Sequence, residues 1–229
     1  MNAAQQKHEQ TTANLAHLNQ TGYRAKGVVF ETFDRAIGHD TPPTGDLNGT
    51  RLSKVYYDFQ TGPIEHTGNP FDLALENDAY FSLLTPEGRV VHTRAGSFRL
   101  TAQGRLVNPS GYSLQGDDGL PVTVPLGNTY TIGTDGTITV DGAAVGRIRL
   151  VRFGRPDRLE QVGPTLFRAT NGVELQQVEQ GVQQGYREGS NVKPANAMIE
   201  LISESRYFEA SQRALRTIAE AVQLNTRPQ

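Results

Sequence analysis

Five histidines, several Asp-Gly pairs, a run of arginines and one glycine-flanked serine are the residues of this chain whose types could do chemistry. Each chemistry demands a spacing. His8, His17, His39, His66 and His92 share no metal-ligand spacing such as i,i+4 on a helix, and no acidic cluster joins them. Surface or turn histidines are expected, and no metal site. Asp117-Asp118-Gly119 and Asp135-Gly136 suggest a calcium loop, but its full acidic pattern and closing glutamate are missing, so hairpin turns are expected. Arg147, Arg149, Arg152, Arg155 and Arg158 form the densest basic stretch. On a strand, Arg147 and Arg149 take one face and Ile148 and Leu150 the other. Only Phe153 stands among them, too few aromatics for a nucleic-acid platform, so a solvent-facing or subunit-facing strand is expected. Ser97 lies in Ala-Gly-Ser-Phe and lacks the Gly-x-Ser-x-Gly elbow. The absence of cysteine excludes disulfides, thiolate ligands and a cysteine nucleophile. With no glycine-rich phosphate loop either, the residues predict no enzyme and no cofactor.

The chain has 229 residues, of which 36% are apolar, and a net charge of -2. That length suits one or two domains. The charge creates no field for nucleic acid or an anionic membrane. The polar N-terminus predicts no cleavable signal, and no apolar run approaches the ~20 residues of a membrane span. A cytoplasmic protein, or one exported without signal cleavage, is expected.

The elements that would position any site change in character along the chain. Residues 1 to 20 predict a helix with a thin stripe at Ala4, Thr11, Leu15 and Leu18, stopped by Gly22 at the C′ position. β-like pieces follow at Val28–Phe33 and Val55–Phe59, separated by a loop around Pro42, Pro43 and Gly45 to Gly49. From Phe71 to about Arg168, short apolar pieces alternate with turn clusters. The pieces are Phe71–Leu75, Tyr80–Leu84, Arg89–Thr93, Ser97–Leu100, Val122–Val124, Ile138–Val140 and Arg147–Phe153. Such spacing predicts an antiparallel sandwich or barrel-like β domain. A final helix follows, with Asn191 as a candidate cap and Pro194 in its first turn. It carries an unbroken heptad series, Leu201, Phe208, Leu215 and Val222, beside the mostly polar or small series Met198, Ser205, Gln212 and Ala219. That is a one-sided seam at coiled-coil spacing. If Asn19 pairs with the region of Pro194, Met1 falls near Gln212, and Leu215, Ile218, Ala219, Val222 and Leu224 are left without an intramolecular partner. Exposed stripes of that kind mark partner surfaces; the alternative is that the helix packs on the β domain.

Three stretches, in order, resemble the flagellar rod–hook family of axial proteins, of the FlgF/FlgG basal-body rod type. They are "TTANLAHLNQTGYRA" (11–25), "TGNPFDLALENDAYFSLLTPEGRVVHTRAGSFRLTAQGRLVNPSGYSLQG" (67–116) and "EGSNVKPANAMIELISESRYFEASQRAL" (188–215). The residues matched to family motifs are Asn14, Leu15, Ala16, Asn19, Thr21, Gly22, Arg94, Gly96, Phe98, Glu188, Gly189, Ser190 and Asn191. Departures are Asn77 and Ala79, where glycine is usual, and His17, where asparagine is usual. The family's sequences also begin earlier, with a helical stretch before the position of Met1.

The resemblance implies a mainly β fold with α-helical termini: an antiparallel β domain inserted between N- and C-terminal helices that form a coiled coil. The expected divisions are 1–22 and 190–226 as the helical assembly domain, 23–67 and 176–189 as linking segments, and 68–175 as an outer β domain. It implies a structural rod subunit of the basal body in the cell envelope. Its partners would be itself, other rod and hook axial proteins and the flagellar type III export apparatus, with no nucleic acid and no membrane insertion. The residues proposed at subunit interfaces are Leu15, Leu18, Met198, Leu201, Ile202, Phe208, Leu215, Ile218 and Val222. The alternatives are a short hook-like axial protein, or a β-sandwich binding module with a helical oligomerisation tail.

Overall fold

The computed structural model describes residues 2–31, 51–170 and 172–225. It is mainly β, with antiparallel sheets and a helix near each end. The loop expected around Pro42 to Gly49 lies outside the described residues. The described residues form two compact units. One gathers those within Met1–Leu18, Ala25–Asp58 and Val192–Gln229; the other gathers Asn19–Arg24 and Phe59–Asn191.

In the first unit, α1 (Asn2–Ala16) is followed by β1 (Lys26–Glu31) and β2 (Arg51–Tyr57), which pair antiparallel from Lys26 opposite Tyr57 to Glu31 opposite Arg51. Gly27 lacks a side chain because the Tyr56 ring from across the ladder occupies its Cβ position. Asn14 fixes the helix to the strand. Its Nδ2 donates to the Lys26 carbonyl at 2.8 Å, and its Oδ1 accepts from the Lys26 N–H at 2.9 Å. One amide side chain thus serves both backbone groups of a strand residue, which glutamine's extra methylene or aspartate's lack of a donor would spoil.

The second unit begins with β3 (Ile64–His66), β4 (Leu73–Leu75), β5 (Ala79–Leu84), β6 (Val90–Thr93), β7 (Arg99–Leu100), β8 (Leu106–Val107) and β9 (Ser113–Leu114). It continues through β10 (Tyr130–Ile132), β11 (Thr137–Val140), β12 (Ala143–Arg147), β13 (Leu150–Phe153), β14 (Leu159–Gly163) and β15 (Leu166–Ala169). It closes with β16 (Leu175–Val178), β17 (Val182–Gln184) and β18 (Tyr186–Glu188). The chain then returns to the first unit as α2 (Pro194–Asn225).

The main sheet runs β14-β15-β6-β5-β9-β8-β7, with β13 bridging β5 and β16; β10-β11-β12 form a second sheet, and β17-β4 and β18-β3 are paired ribbons. Every pairing is antiparallel. The core gathers Leu73, Phe81, Leu83, Leu114, Ile148 and Leu150, all within 1% of full burial. A separate aromatic cluster joins Tyr80, His92, Phe153 and Phe167 edge to face.

Several expectations change in detail. The first helix ends at Ala16, six residues before Gly22, so Gly22 is not its C′ residue. The expected strand Arg147–Phe153 is two strands, because β12 ends at Arg147 and β13 starts at Leu150. The alternation lapses where Leu150 and Val151 are both fully buried, since the sheet is covered on both faces there. Val122–Val124 forms no strand, only a bridge of Thr123 to Arg105. The Asp-Gly pairs are turn devices. Asp141 (φ 49°) and Gly142 (φ 87°) close the β11–β12 hairpin with left-handed backbone at both positions. Asp135 accepts from the Thr137 N–H and hydroxyl and pairs with Arg147 at 3.0 Å.

His92 gives the fold a pH dependence. It is not the surface or turn histidine expected: it lies within β6, 3% exposed, with Nδ1 3.3 Å from Ser82 Oγ. Burial, reinforced by the Arg149 charge, pulls its pKa from the ordinary 6.5 to about 4. Between those values the unfolded chain holds a proton that the folded chain does not, so stability falls as pH drops through that window. The loss should reach about 3 kcal/mol by pH 4. Urea midpoints of His92→Gln should fall less steeply than wild type from pH 6.5 to 4. Parallel slopes would assign the acid sensitivity to other groups.

A buried arginine–glutamate–arginine junction as the candidate functional site

Glu188 ends β18 and is buried, whereas Tyr186 and Arg187 before it are exposed. Its side chain is 0% exposed, yet fully partnered. Oε1 accepts from Arg24 Nη1 at 2.6 Å and from the Gly62 N–H at 2.9 Å. Oε2 accepts from Arg94 Nε at 2.8 Å and lies 2.7 Å from Arg94 Nη2. The Glu188 carbonyl accepts from the Gly22 N–H at 2.8 Å.

Two buried cations share one carboxylate, so the second positive charge needs other compensation. Arg94 finds it in backbone oxygens. Its Nη1 donates to the carbonyls of Asn77 and Ala79, its Nη2 reaches the Leu75 carbonyl at 3.4 Å, and its guanidinium lies 5.8 Å from the centre of the Tyr80 ring. Burial holds the Arg94 pKa below its ordinary value, and the Glu188 charge opposes that. Burial likewise raises the Tyr80 hydroxyl, against the pull of Arg24 and Arg94. Arg24 is 1% exposed, and its Nε has no hydrogen-bond partner.

Backbone approaches complete the junction. Gly22 has φ +67°, and a Cβ there would lie 2.3 Å from the Ala95 nitrogen. Gly189 N–H donates to the Pro63 carbonyl, Asn191 N–H to the Tyr23 carbonyl, and Asn191 Nδ2 to the Gln60 carbonyl. Residues from all three family-like stretches therefore meet around one carboxylate: Gly22 and Arg24, Arg94 and Ala95, Glu188 and Asn191.

The other motif residues lie elsewhere. Phe98 is a core residue, its ring edge-on to Phe81 at 5.4 Å. Asn14 serves β1, Leu15 and Leu18 are half-buried, and Ala16 and Asn19 are exposed. Ser190 is buried, while Thr21 is half-buried. Asn77 and Ala79 contribute carbonyls to Arg94, so the side chains that depart from the family pattern do not enter the junction. Neither takes positive φ; among described non-glycine residues only Asp141 does. On α2, Leu201 and Phe208 are half-buried, while Met198 and Ile202 are 51% and 55% exposed. The side chains of Leu215, Ile218 and Val222 lie outside the described residues. Arg24 is the junction residue that motif matching omitted. Its signal was a cation inside a signature stretch, next to an aromatic.

The junction offers charge-assisted hydrogen bonds and no exposed reactive group. Among the described residues no group of three or more His, Asp or Glu could hold a metal ion, and no helix is long and apolar enough to cross a membrane. A cleft lined by Ser82, His92, Gln115, Arg149 and Arg168 contains a Ser–His contact, but Ser82 is 0% exposed and the His92 ring packs edge-on to Phe153. That contact is a packing hydrogen bond.

The chain combines an all-antiparallel β unit, tied by a buried ionic knot, with a helix pair. Residues 74–140 match the model of the flagellar hook protein FlgE/F/G D1 domain, and 183–223 match that of the flagellar basal body rod FlgEFG protein C-terminal. The chain is 31% identical to the flagellar basal-body rod protein FlgF of Mesorhizobium japonicum, over 90% of this chain and 84% of that one. It is 30% identical to FlgF of Salmonella typhimurium, over 92% and 87% of the two chains. It is 30% identical to the rod protein FlgG of Caulobacter vibrioides, over 96% and 93%. The chain belongs to the flagellar FlgE/F/G rod–hook family.

Proposed function

We propose that this chain is a structural, non-enzymatic subunit of the bacterial flagellar basal-body rod. Its terminal helices polymerise as a coiled coil into the axial shaft between motor and hook, and its β unit forms the outer layer. Segments 1–22 and 190–226 are the assembly elements, 23–67 and 176–189 link them, and 68–175 is the outer domain. Partners are further copies, other rod and hook proteins, and the type III export apparatus, which passes the chain unfolded without signal cleavage. The carrying observation is the likeness to rod proteins along nine-tenths of the chain.

The physical support lies on α2. Met198, Ile199, Ile202 and Tyr207 are 51–66% exposed, an apolar set too large for an isolated surface helix. Covering it by neighbours couples helix ordering to assembly, so free subunits stay apart until they reach the growing end. Contacts of this kind are heterologous and non-closing, which builds a filament.

Deletion of the gene, with a complemented control, tests the reading by electron microscopy of basal bodies. A truncated or missing rod without hook and filament is expected; intact flagella would overturn it. Phe208→Ala tests the seam. It should abolish or strongly reduce motility while urea unfolding of the β unit stays within about 0.5 kcal/mol of wild type. Normal motility would remove Phe208 from the interface.

A further inference from the structure

The buried stripe of α2 keeps Leu201 and Phe208 of the apolar heptad series, but its companion series is not the one through Met198. Ala197 and Glu204 are 7% and 9% exposed, and Leu201, Phe208 and Ser211 are half-buried. These residues stand four and three apart, so they follow one coiled-coil seam. At its centre is a carboxylate.

Glu204 is answered by one turn of α1. Thr11 Oγ1, on a residue 5% exposed, donates to Oε1 at 3.1 Å. Lys7 Nζ lies 3.5 Å from Oε1, and His8 Nδ1 lies 3.9 Å from Oε2. The fit is incomplete, because Glu204 Oε2 and the nearby helix's Gln10 Nε2 are buried without hydrogen-bond partners. A leucine at this position would bury more apolar surface and leave no carboxylate oxygen orphaned, losing only the acceptor of the Thr11 hydroxyl. Something other than the stability of the helix pair accounts for a glutamate here.

We propose that Glu204 selects the partner of α2: it admits α1 and rejects the α2 of another copy. On apolar grounds the second α2 is the stronger competitor. It offers Leu201 and Phe208, whereas α1 offers the thin stripe of Thr11 and Leu15. In an α2–α2 pairing through this seam, each Glu204 is buried without Lys7, His8 or Thr11, and the unpaired charge disfavours the complex. In the α1–α2 pairing the same charge meets a cation and a hydroxyl. The inference stands on contacts within one chain and goes beyond the rod assignment, so failure of either leaves the other intact.

The cysteine-free chain makes the test direct. Ser211→Cys in the full-length protein places one thiol on the seam, and mild oxidation then reports α2–α2 proximity as a disulfide dimer. Ser211→Cys alone should remain uncrosslinked. Adding Glu204→Leu should give dimers, with self-association by sedimentation tightened on the order of tenfold or more. Glu204→Gln, which removes the charge but not the polarity, should fall between. Near-UV circular dichroism of each variant checks that the β unit is folded. Equal crosslinking with and without Glu204→Leu, or none in either, would overturn the proposal.

Discussion

Glu188→Ala is expected to destabilise the β unit by about 3–5 kcal/mol, read as a fall in urea midpoint at unchanged slope. The size follows from what the substitution leaves behind. Arg24 and Arg94 are each 1% exposed, and without Glu188 they hold two positive charges with no counter-charge. Arg94 keeps its carbonyl partners, but Arg24 Nη1 loses its 2.6 Å acceptor while its Nε is already unpartnered. The Gly62 N–H is orphaned too. A surface pair supplies the control. Arg187 and Glu65 lie 3.2 Å apart but are 44% and 54% exposed, so Arg187→Ala should cost less than about 1 kcal/mol. If the two substitutions cost the same, the junction does not hold the unit together.

The junction also closes long stretches of chain. Arg24 and Glu188 are 164 residues apart in sequence, and Arg94 and Glu188 are 94 apart. The unit therefore cannot complete its interior until its first and last segments both arrive. Under the proposed export route, that ties folding to delivery of the whole β sequence. Replacing all three side chains by apolar ones would not restore the loss, because Arg94 also satisfies carbonyls of the 75–79 turn.

The hairpins were legible because their signal is local. Asp141-Gly142 names a turn that needs left-handed backbone at both positions, and the structure has it. The helix register was nearly legible. Placing Asn19 opposite Pro194 sets Thr11 opposite Ile202, and its observed partner is Glu204, two residues away. Leu201 and Phe208 lie on the half-buried stripe, and apolarity misleads only in the series beside them. Met198 is the larger hydrophobe, but Ala197 is the buried neighbour and Met198 is 51% exposed. Gly22 was read as a helix stop, a local role, whereas it sits against Ala95 and donates to Glu188. Arg24 was missed for a related reason. Its partner is far along the chain, and no periodicity links a cation to a carboxylate at that distance.

Gly96→Ala is the second large effect, about 3–4 kcal/mol, and it tests close packing rather than charge. A Cβ on Gly96 would stand 1.7 Å from the Leu73 oxygen, with the Phe81 ring 3.1 Å away. No side chain can yield, because the obstacle is backbone. The segments must separate, which strains the Leu73 N–H to Gly96 carbonyl bond of 2.8 Å and the Phe98 N–H to Phe71 carbonyl bond of 3.1 Å, and opens the core at Phe81 and Phe98. Two controls isolate the cause. Gly88 has φ +77° with nothing within 4 Å of its Cβ position, so alanine there costs about 1 kcal/mol of backbone strain alone. Gly146 has open space and no left-handed φ, so alanine there is neutral or stabilises by about 0.5 kcal/mol. Gly96 is also two residues from Arg94. Moving its segment draws the guanidinium off Glu188, so part of the Gly96→Ala cost is the junction's own. The double variant with Glu188→Ala should therefore lose less than the sum of the two single losses, by about 1 kcal/mol or more. Strict additivity would mean that the glycine packing and the ionic knot hold the unit independently.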